Sequence, residues 1–194
     1  MAKYGFYFDN ASCCGCRSCQ VACKDKNDLD IGVLFRRVST YETGVYPTAD
    51  RFHHSAACNH CSSPACVANC PTGAMYIDDV DGGTVQHNDD ECIGCQSCVK
   101  SCPYSVPVFI EEAGIARKCD GCIDLRQAGE KPACVATCWT RALDFGDVEE
   151  LEAKYGSGLV RELPFIPEAS HTEPSTLIRS RESALNGEPV EKCL

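Results

Sequence analysis

The sequence lacks any apolar run long enough to span a bilayer, and its first ten residues, MAKYGFYFDN, lack the apolar stretch of a secretory leader. We therefore expect no direct membrane span and a chain that folds with reduced thiols. The pair Arg36-Arg37 is a weak look-alike of a twin-arginine signal, but it lies deep in the chain and no apolar run follows it. We interpret this pair as structural.

Positive charge is also scarce. The chain has 18 Lys and Arg residues against 28 Asp and Glu residues, which gives a net charge of -10. No basic stripe is present, so nucleic-acid binding is not expected. No nucleophile–base pair or phosphate-binding loop is evident either, so the chain is not expected to be an enzyme on its own. Its 194 residues suit one or two small domains.

Cysteine, in contrast, is abundant, with 18 residues. The stretch ASCCGCRSCQVACKD contains the spacing C-x2-C-x2-C-x3-C, and three further groups of four cysteines follow it. Cys14 and Cys193 are left over, and we predict that neither is a ligand. The four groups are Cys13, Cys16, Cys19 and Cys23; Cys58, Cys61, Cys66 and Cys70; Cys92, Cys95, Cys98 and Cys102; and Cys119, Cys122, Cys134 and Cys138.

Three kinds of site compete for such spacings: disulfides, zinc sites and iron–sulfur clusters. Disulfide scaffolds are secreted, which conflicts with the absence of a leader. Zinc sites close with four ligands, and the group from Cys119 to Cys138 alone could form one. A run of three cysteines at x2 spacing, with a fourth one helical turn later, is typical of iron–sulfur proteins. Four complete groups therefore predict four [4Fe-4S] clusters, with sixteen cysteines as iron ligands.

An internal repeat indicates how the groups pair. A short strand precedes the first and third groups, and another follows the second and fourth. In the middle these strands join as a hairpin around Asp81-Gly82. We therefore predict an α+β fold of two nested ferredoxin-like units, each binding two [4Fe-4S] clusters, with an extended C-terminal tail. The outer unit spans 1–50 and 103–156, the inner unit spans 51–102, and the tail spans 157–194.

The spacing with its trailing proline resembles bacterial two-cluster ferredoxins, in which the fourth cysteine of each group ligates the other cluster. This resemblance implies crossed ligand sets. Set one is Cys13, Cys16, Cys19 and Cys138; set two is Cys119, Cys122, Cys134 and Cys23; set three is Cys92, Cys95, Cys98 and Cys70; and set four is Cys58, Cys61, Cys66 and Cys102.

The order of the groups, together with YGFYFD, CNHCSSPAC, CPTGAM, CIGCQSC, KCDGC and RALDFG, resembles the iron–sulfur electron-transfer subunit of the dimethyl sulfoxide reductase family of molybdopterin oxidoreductases. The match runs from about residue 4 to 178. Two positions depart from the family pattern: Cys14 is extra, and Trp139 stands where proline usually follows the last cysteine. Neither departure removes a ligand.

This resemblance implies an electron relay between a redox partner and a molybdopterin-containing catalytic subunit, with a possible quinol-linked membrane anchor as a further partner. The chain would be cytoplasmic or carried across the membrane with its catalytic partner, and membrane-associated through the complex. A relay subunit of a formate dehydrogenase or hydrogenase, a free polyferredoxin and a structural zinc protein are the alternatives.

Several residues near the cysteines have two interpretations. Lys24, Lys100, Lys118 and Arg17 could raise cluster potentials, although solvated side chains are the simpler interpretation. His60 could be a ligand or a loop residue, and we favour the loop residue. Beyond a short helix capped by Asp147, the tail has little periodicity. Its apolar residues are expected to need cover from a partner; they are Leu163, Phe165, Ile166, Leu177 and Ile178.

Overall fold

The computed structural model describes residues 2–186 and 188–192, with the side chain of Asn186 left aside. Cys193 lies outside the described residues. The strands are β1 (Tyr4–Asp9), β2 (Arg37–Thr43), β3 (Asp50–Ala56), β4 (Met75–Asp78), β5 (Thr84–His87), β6 (Val108–Ile110), β7 (Ile115–Arg117), β8 (Leu143–Asp147), β9 (Leu177–Arg179) and β10 (Val190–Lys192). The helices are α1 (Ser18–Lys26), α2 (Ala65–Ala68), α3 (Ser97–Ser101), α4 (Ile123–Gln127), α5 (Ala133–Ala136), α6 (Val148–Tyr155) and α7 (Glu182–Asn186).

Strand β1 is the centre of the main sheet, in the order β8-β1-β9. It pairs with β8 in antiparallel register from Tyr4↔Asp147 to Phe8↔Leu143, and with β9 in parallel. Because β1 is covered on both faces, five of its six residues are buried. The pairing joins the residues before Cys13 to those after Cys138, as the internal repeat predicts.

The hairpin predicted around Asp81-Gly82 is confirmed. Strands β4 and β5 pair from Met75↔His87 to Asp78↔Thr84, and two glycines at the turn adopt positive φ angles of 61° and 65°. The turn docks on the start of β1, where the Tyr4 N–H donates to the Gly82 carbonyl at 2.8 Å. This hairpin thus lies inside the chain interval that β1 and β8 close.

Helices pair in the same nested order. Helix α1 packs against α5, and α2 packs against α3. The sequence ACVA forms both α2 and α5, and a proline, Pro64 or Pro132, precedes each of them. Proline suits this position because it needs no N–H partner there. Repetition in sequence therefore reappears as repetition in structure.

Helix α6 begins at the predicted cap. The Asp147 carboxylate accepts from the N–H groups of Glu149 and Glu150 at 2.9 and 3.2 Å. Gly156 follows the helix with a φ of 81°. Both ends thus follow from local sequence chemistry.

The boundary predicted between residues 50 and 51 falls at the first residue of a paired strand. Strand β3 begins at Asp50 and pairs along its whole length with β2, with β10 on the other side of β2. A boundary at residue 50 therefore separates two paired strands. Sequence reading missed this hairpin because no compact turn dipeptide joins its strands, which are separated by residues 44–49.

The apolar residues of the predicted tail pack on the chain itself and do not need a partner to cover them. Strand β9 completes the main sheet, and Leu163, Leu177 and Ile178 are each at most 3 % exposed. Phe165 is half-buried against Tyr41 and Phe52. The expectation is wrong because the apolar residues of the tail pack on the chain's own core, through contacts far apart in sequence.

The described residues thus form a mixed α and β fold. None of the helices found in residues 2–186 and 188–192 is long and apolar enough to cross a membrane.

Candidate iron–sulfur centres

All four cysteine loops contain a left-handed residue just before their second cysteine. In three loops it is a glycine, Gly15, Gly94 or Gly121, with φ between 68° and 73°. Glycine adopts this conformation without steric cost, and the turn brings the second cysteine back towards the first. In the loop from Cys58 to Cys61 the same position is His60, with a φ of 43°.

His60 is a buried loop residue, in keeping with the interpretation favoured from the sequence. Its side chain is wholly buried, and its Nδ1 accepts from the Val85 N–H at 3.1 Å. Burial lowers the pKa of His60 well below its usual value, so the ring is neutral. Because Nδ1 accepts, Nε2 bears the proton, and this N–H has no partner among the described residues.

One cavity brings the cysteines of the proposed set one together. Its lining includes Cys13, Cys16, Cys19 and Cys138, although the last is more than a hundred residues from the others. The apolar side chains of Phe8, Val38 and Leu143 line it as well. Cys14 lies at the same cavity and is exposed, so its exclusion from the ligand set stays a prediction.

A second cavity is lined by Cys58, Cys61, Cys66 and Cys102. It is the counterpart of the first in two respects. Three cysteines come from one loop, and the fourth comes from the end of the other group of the pair.

Sets two and three are brought together in the same crossed manner. Burial, opposed by the charge of Arg36 and reinforced by the nearby Cys134 and Cys122, raises the pKa of the Cys23 thiol to about 12. Burial likewise raises the pKa of Cys98, with Cys92 and Cys70 as its charged neighbours. The fourth cysteine of each group therefore lies beside the loop of its partner group.

Two loop cysteines reach the surface and have a different environment. Hydrogen bonds from the hydroxyl and N–H of Ser18 lower the pKa of Cys16 to about 7. The hydroxyl of Ser97, 3.4 Å from the sulfur, lowers the pKa of Cys95. These donors stabilise thiolates, which are the forms that bind metal.

The spacing of the side chains disfavours the other two kinds of site. No disulfide joins the seventeen cysteines that the structure describes. In the same residues, no three Cys, His, Asp or Glu side chains converge on a position for one metal ion. A zinc ion bonds each thiolate at about 2.3 Å, which requires such convergence. The cysteines of sets one and four line cavities instead, as ligands spread over a multi-iron cluster would.

Buried donors beside the cysteines also fit an anionic cluster. His60 and Arg36 have buried N–H groups that find no partner within residues 2–186 and 188–192. Buried donors without acceptors are rare, and cluster sulfur is an acceptor. The Lys118 ammonium lines the second cavity and donates to the carbonyls of Val85 and Cys119. The solvated interpretation of Lys118 is therefore wrong, since this side chain is buried.

The family model for a 4Fe-4S dicluster domain matches residues 49–148. The B subunit of the anaerobic dimethyl sulfoxide reductase of Haemophilus influenzae is 40% identical over 193 residues, covering 95% of this chain and 92% of the relative. The corresponding B subunit of Escherichia coli is 42% identical over 185 residues, covering 91% and 88%.

The chain belongs to this family of iron–sulfur electron-transfer subunits. The thiosulfate reductase electron transfer subunit PhsB of Salmonella typhi is a further relative, 40% identical over 155 residues, which cover 77% of this chain and 79% of that one. Membership agrees with the resemblance seen in the cysteine order. The chain is accordingly a non-catalytic relay subunit that binds [4Fe-4S] clusters.

Proposed function

We propose that the sixteen cysteines hold four [4Fe-4S] clusters in the crossed sets one to four, within an outer and an inner ferredoxin-like unit. The observation that carries this proposal is the lining of the two cavities. Cys138 joins the first loop, and Cys102 joins the second. Each bound cluster would supply a one-electron redox site.

The four sets follow one another through the molecule. Cys19 of set one lies near Cys134 of set two, and Cys119 of set two lies near Cys58 of set four. Sets four and three are adjacent because α2 and α3, which pack together, carry a ligand of each. The order one, two, four, three thus supports a relay with two ends.

Both ends of this order reach the surface. At set one, Cys16 is exposed and Trp139 is 69% exposed. At set three, Cys95 is exposed and Ile93 is 67% exposed. Electron transfer needs close approach, so each exposed end suits contact with a redox partner. The cysteines of sets two and four are all buried except Cys102, which is half-buried, so they suit internal steps.

The relatives are named as parts of reductases, which supports a stable complex here too. We assign a molybdopterin-containing catalytic subunit as one partner and a quinol-linked membrane anchor as the other. The chain supplies relay cysteines, and the catalytic subunit supplies substrate chemistry.

Metal analysis of the anaerobically purified complex tests both parts. About sixteen irons per copy of this chain are expected from it, beyond any iron in the partner. Molybdenum should co-purify with a tagged copy of the chain. Zinc with little iron would contradict the cluster assignment. A full-length chain that elutes alone and reduces unrelated acceptors would indicate a free shuttle.

A further inference from the structure

Arg36 lies just before β2 and is almost completely buried, with 2 % of its surface exposed. Its Nη1 donates to the carbonyl and to the hydroxyl of Ser55, each at 3.1 Å. Its guanidinium lies 4.5 Å above the centre of the Phe6 ring. These contacts fix the position of the side chain, because β3 and β1 supply them from two different sheets.

The charge of Arg36 has no carboxylate partner within 4 Å in the described part of the chain. A guanidinium remains protonated in proteins, and a buried charge needs an opposite charge nearby. Burial alone would lower the pKa of Arg36, but nearby thiolates reverse the effect and raise it. Those thiolates are Cys134, Cys119, Cys19 and Cys23.

These four cysteines belong to two ligand sets. Cys19 is in set one, and it is one hydroxyl away from Arg36, since its Sγ lies 3.5 Å from the Ser55 Oγ that accepts from the guanidinium. The other three are in set two, and they lie in the same buried cluster as Cys19 and as Phe6, whose ring contacts Arg36. Arg36 is therefore beside both cluster sites of the outer unit.

Two N–H groups of Arg36, on Nε and Nη2, remain without partners among the described residues. His54 packs nearby and cannot supply the missing charge, because burial and then the charge of Arg36 lower its pKa to about 4 and leave it neutral. A guanidinium with free donors, beside two sites that each become more negative on reduction, has a direct electrostatic consequence.

We infer that Arg36 is a positioning residue shared by the first two clusters of the relay: its charge and its free N–H donors raise the reduction potentials of both, and of these two alone. The inference rests on the ligand sets proposed above. Reduction adds one electron to a cluster, and the guanidinium stabilises the added negative charge without gaining or losing a proton.

Redox titration of the purified complex, followed by electron paramagnetic resonance, tests this inference. The variants are Arg36→Gln, which removes the charge, and Arg36→Lys, which keeps it. Arg51→Gln is the matched control, because Arg51 is an exposed arginine paired with Glu42. Signals are assigned to clusters beforehand with Cys13→Ser and Cys122→Ser.

In Arg36→Gln we expect the reduction equilibrium of clusters one and two to fall at least tenfold, which is about 59 mV for a one-electron couple. Clusters three and four should stay within about twofold. In Arg36→Lys, clusters one and two should stay within about threefold. If the Gln variant does not retain iron, the Lys variant decides: a tenfold fall in it overturns the inference.

Equal shifts of all four clusters, or no shift in Arg36→Gln, would also overturn the inference. The wild-type complex separates this failure from a failure of the proposed ligand sets. Four clusters with the expected cysteine dependence in the wild type would leave those sets intact while Arg36 loses its role.

Discussion

The first and third cysteine loops end at the surface, whereas the second and fourth lie in the interior. The two surface loops are alike in backbone conformation. Arg17 and Gln96, which precede the helices of the first and third loops, have φ angles of 62° and 60°. In each of these loops one of the cysteines assigned as ligands, Cys16 or Cys95, is exposed. In the other two loops all three cysteines are buried; they are Cys58, Cys61, Cys66, Cys119, Cys122 and Cys134.

This difference separates two tasks. The C-x2-C turn, with its positive-φ residue before the second cysteine, is shared by all four loops. The gap to the third cysteine is two residues in the two surface loops and four or eleven residues in the two interior loops. The surroundings of the cysteines differ between the two kinds of loop. In the surface loops serine donors lower the pKa of Cys16 and Cys95. In the interior second loop burial raises the pKa of Cys66 to about 12. Hydrogen bonds and solvent exposure are also the factors that tune cluster potentials. The shared C-x2-C turn can thus serve both at an exposed end of the relay and at an internal step.

The largest difference between interior and surface loops is expected when one ligand is removed from each kind. We expect Cys119→Ser to lose one whole cluster, about four of sixteen irons, because it also leaves a hydroxyl in the core around Phe6. Cys95→Ser should keep a folded chain and change the signal of cluster three alone. Iron content and thermal unfolding measure both, and equal loss in the two variants would contradict the distinction.

An ion pair between Asp81 at the β4–β5 turn and Arg126 on α4 joins the inner hairpin to the fourth cysteine loop. Two hydrogen bonds of 2.6 and 2.5 Å join them, and both side chains are mostly buried. Asp81→Asn should lower the free energy of unfolding by about 2 kcal/mol, between the values for exposed and buried pairs. Chemical denaturation of the variant measures it. Glu42→Gln, at an exposed pair, is the control and should change little.

The same pair gives a pH dependence. Although burial would raise it, hydrogen bonds from Arg126 and Thr84 lower the pKa of Asp81 below its usual value of 3.8. The stabilisation is therefore complete above about pH 4 and is lost as the pH falls through the folded-state pKa. Wild-type stability should fall more steeply than that of Asp81→Asn below about pH 4. If the free energies of unfolding of the two proteins fall in parallel with pH, the ion pair does not cause the loss of stability.

A smaller effect is expected when the second loop receives the glycine of the other three. His60→Gly removes the strain of a positive φ, but it leaves the Val85 N–H without its acceptor and opens a cavity. The net cost should be about 1 to 2 kcal/mol. Iron content should not change. Loss of one cluster would show instead that His60 is a ligand.

The smallest effect is expected at Cys14 and Cys193, the two cysteines outside the four groups. Cys14→Ser should leave iron content and the reduced-state spectrum unchanged, because Cys14 is exposed and the first loop already has its cysteines. Cys193→Ser should likewise leave the iron content and the reduced-state spectrum unchanged. Loss of a cluster signal in either variant would show that the sixteen ligands are assigned wrongly. Cys16→Ser, at the neighbouring frame position, provides the positive control.

Local patterns predicted what local chemistry determines. Cysteine spacing gave the loops, the Asp81-Gly82 turn gave a hairpin, and Asp147 gave a helix start. Contacts between distant residues were missed. The β2–β3 hairpin, the burial of Lys118 and the place of the tail in the main sheet depend on such contacts. The structural interpretation of Arg36 agrees with its burial. Its cysteine neighbours, Cys19, Cys119 and Cys134, were missed because they are spread over more than a hundred residues.

Iron anomalous diffraction from crystals of the iron-loaded chain or complex tests the crossed sets most directly. The result we predict is four groups of four irons, with Cys23 bound to the group held by Cys119, Cys122 and Cys134. Cys138 should likewise complete the group of the first loop. A structure with Cys23 on the same iron–sulfur group as Cys13, or with fewer than four groups in this chain, would contradict the account.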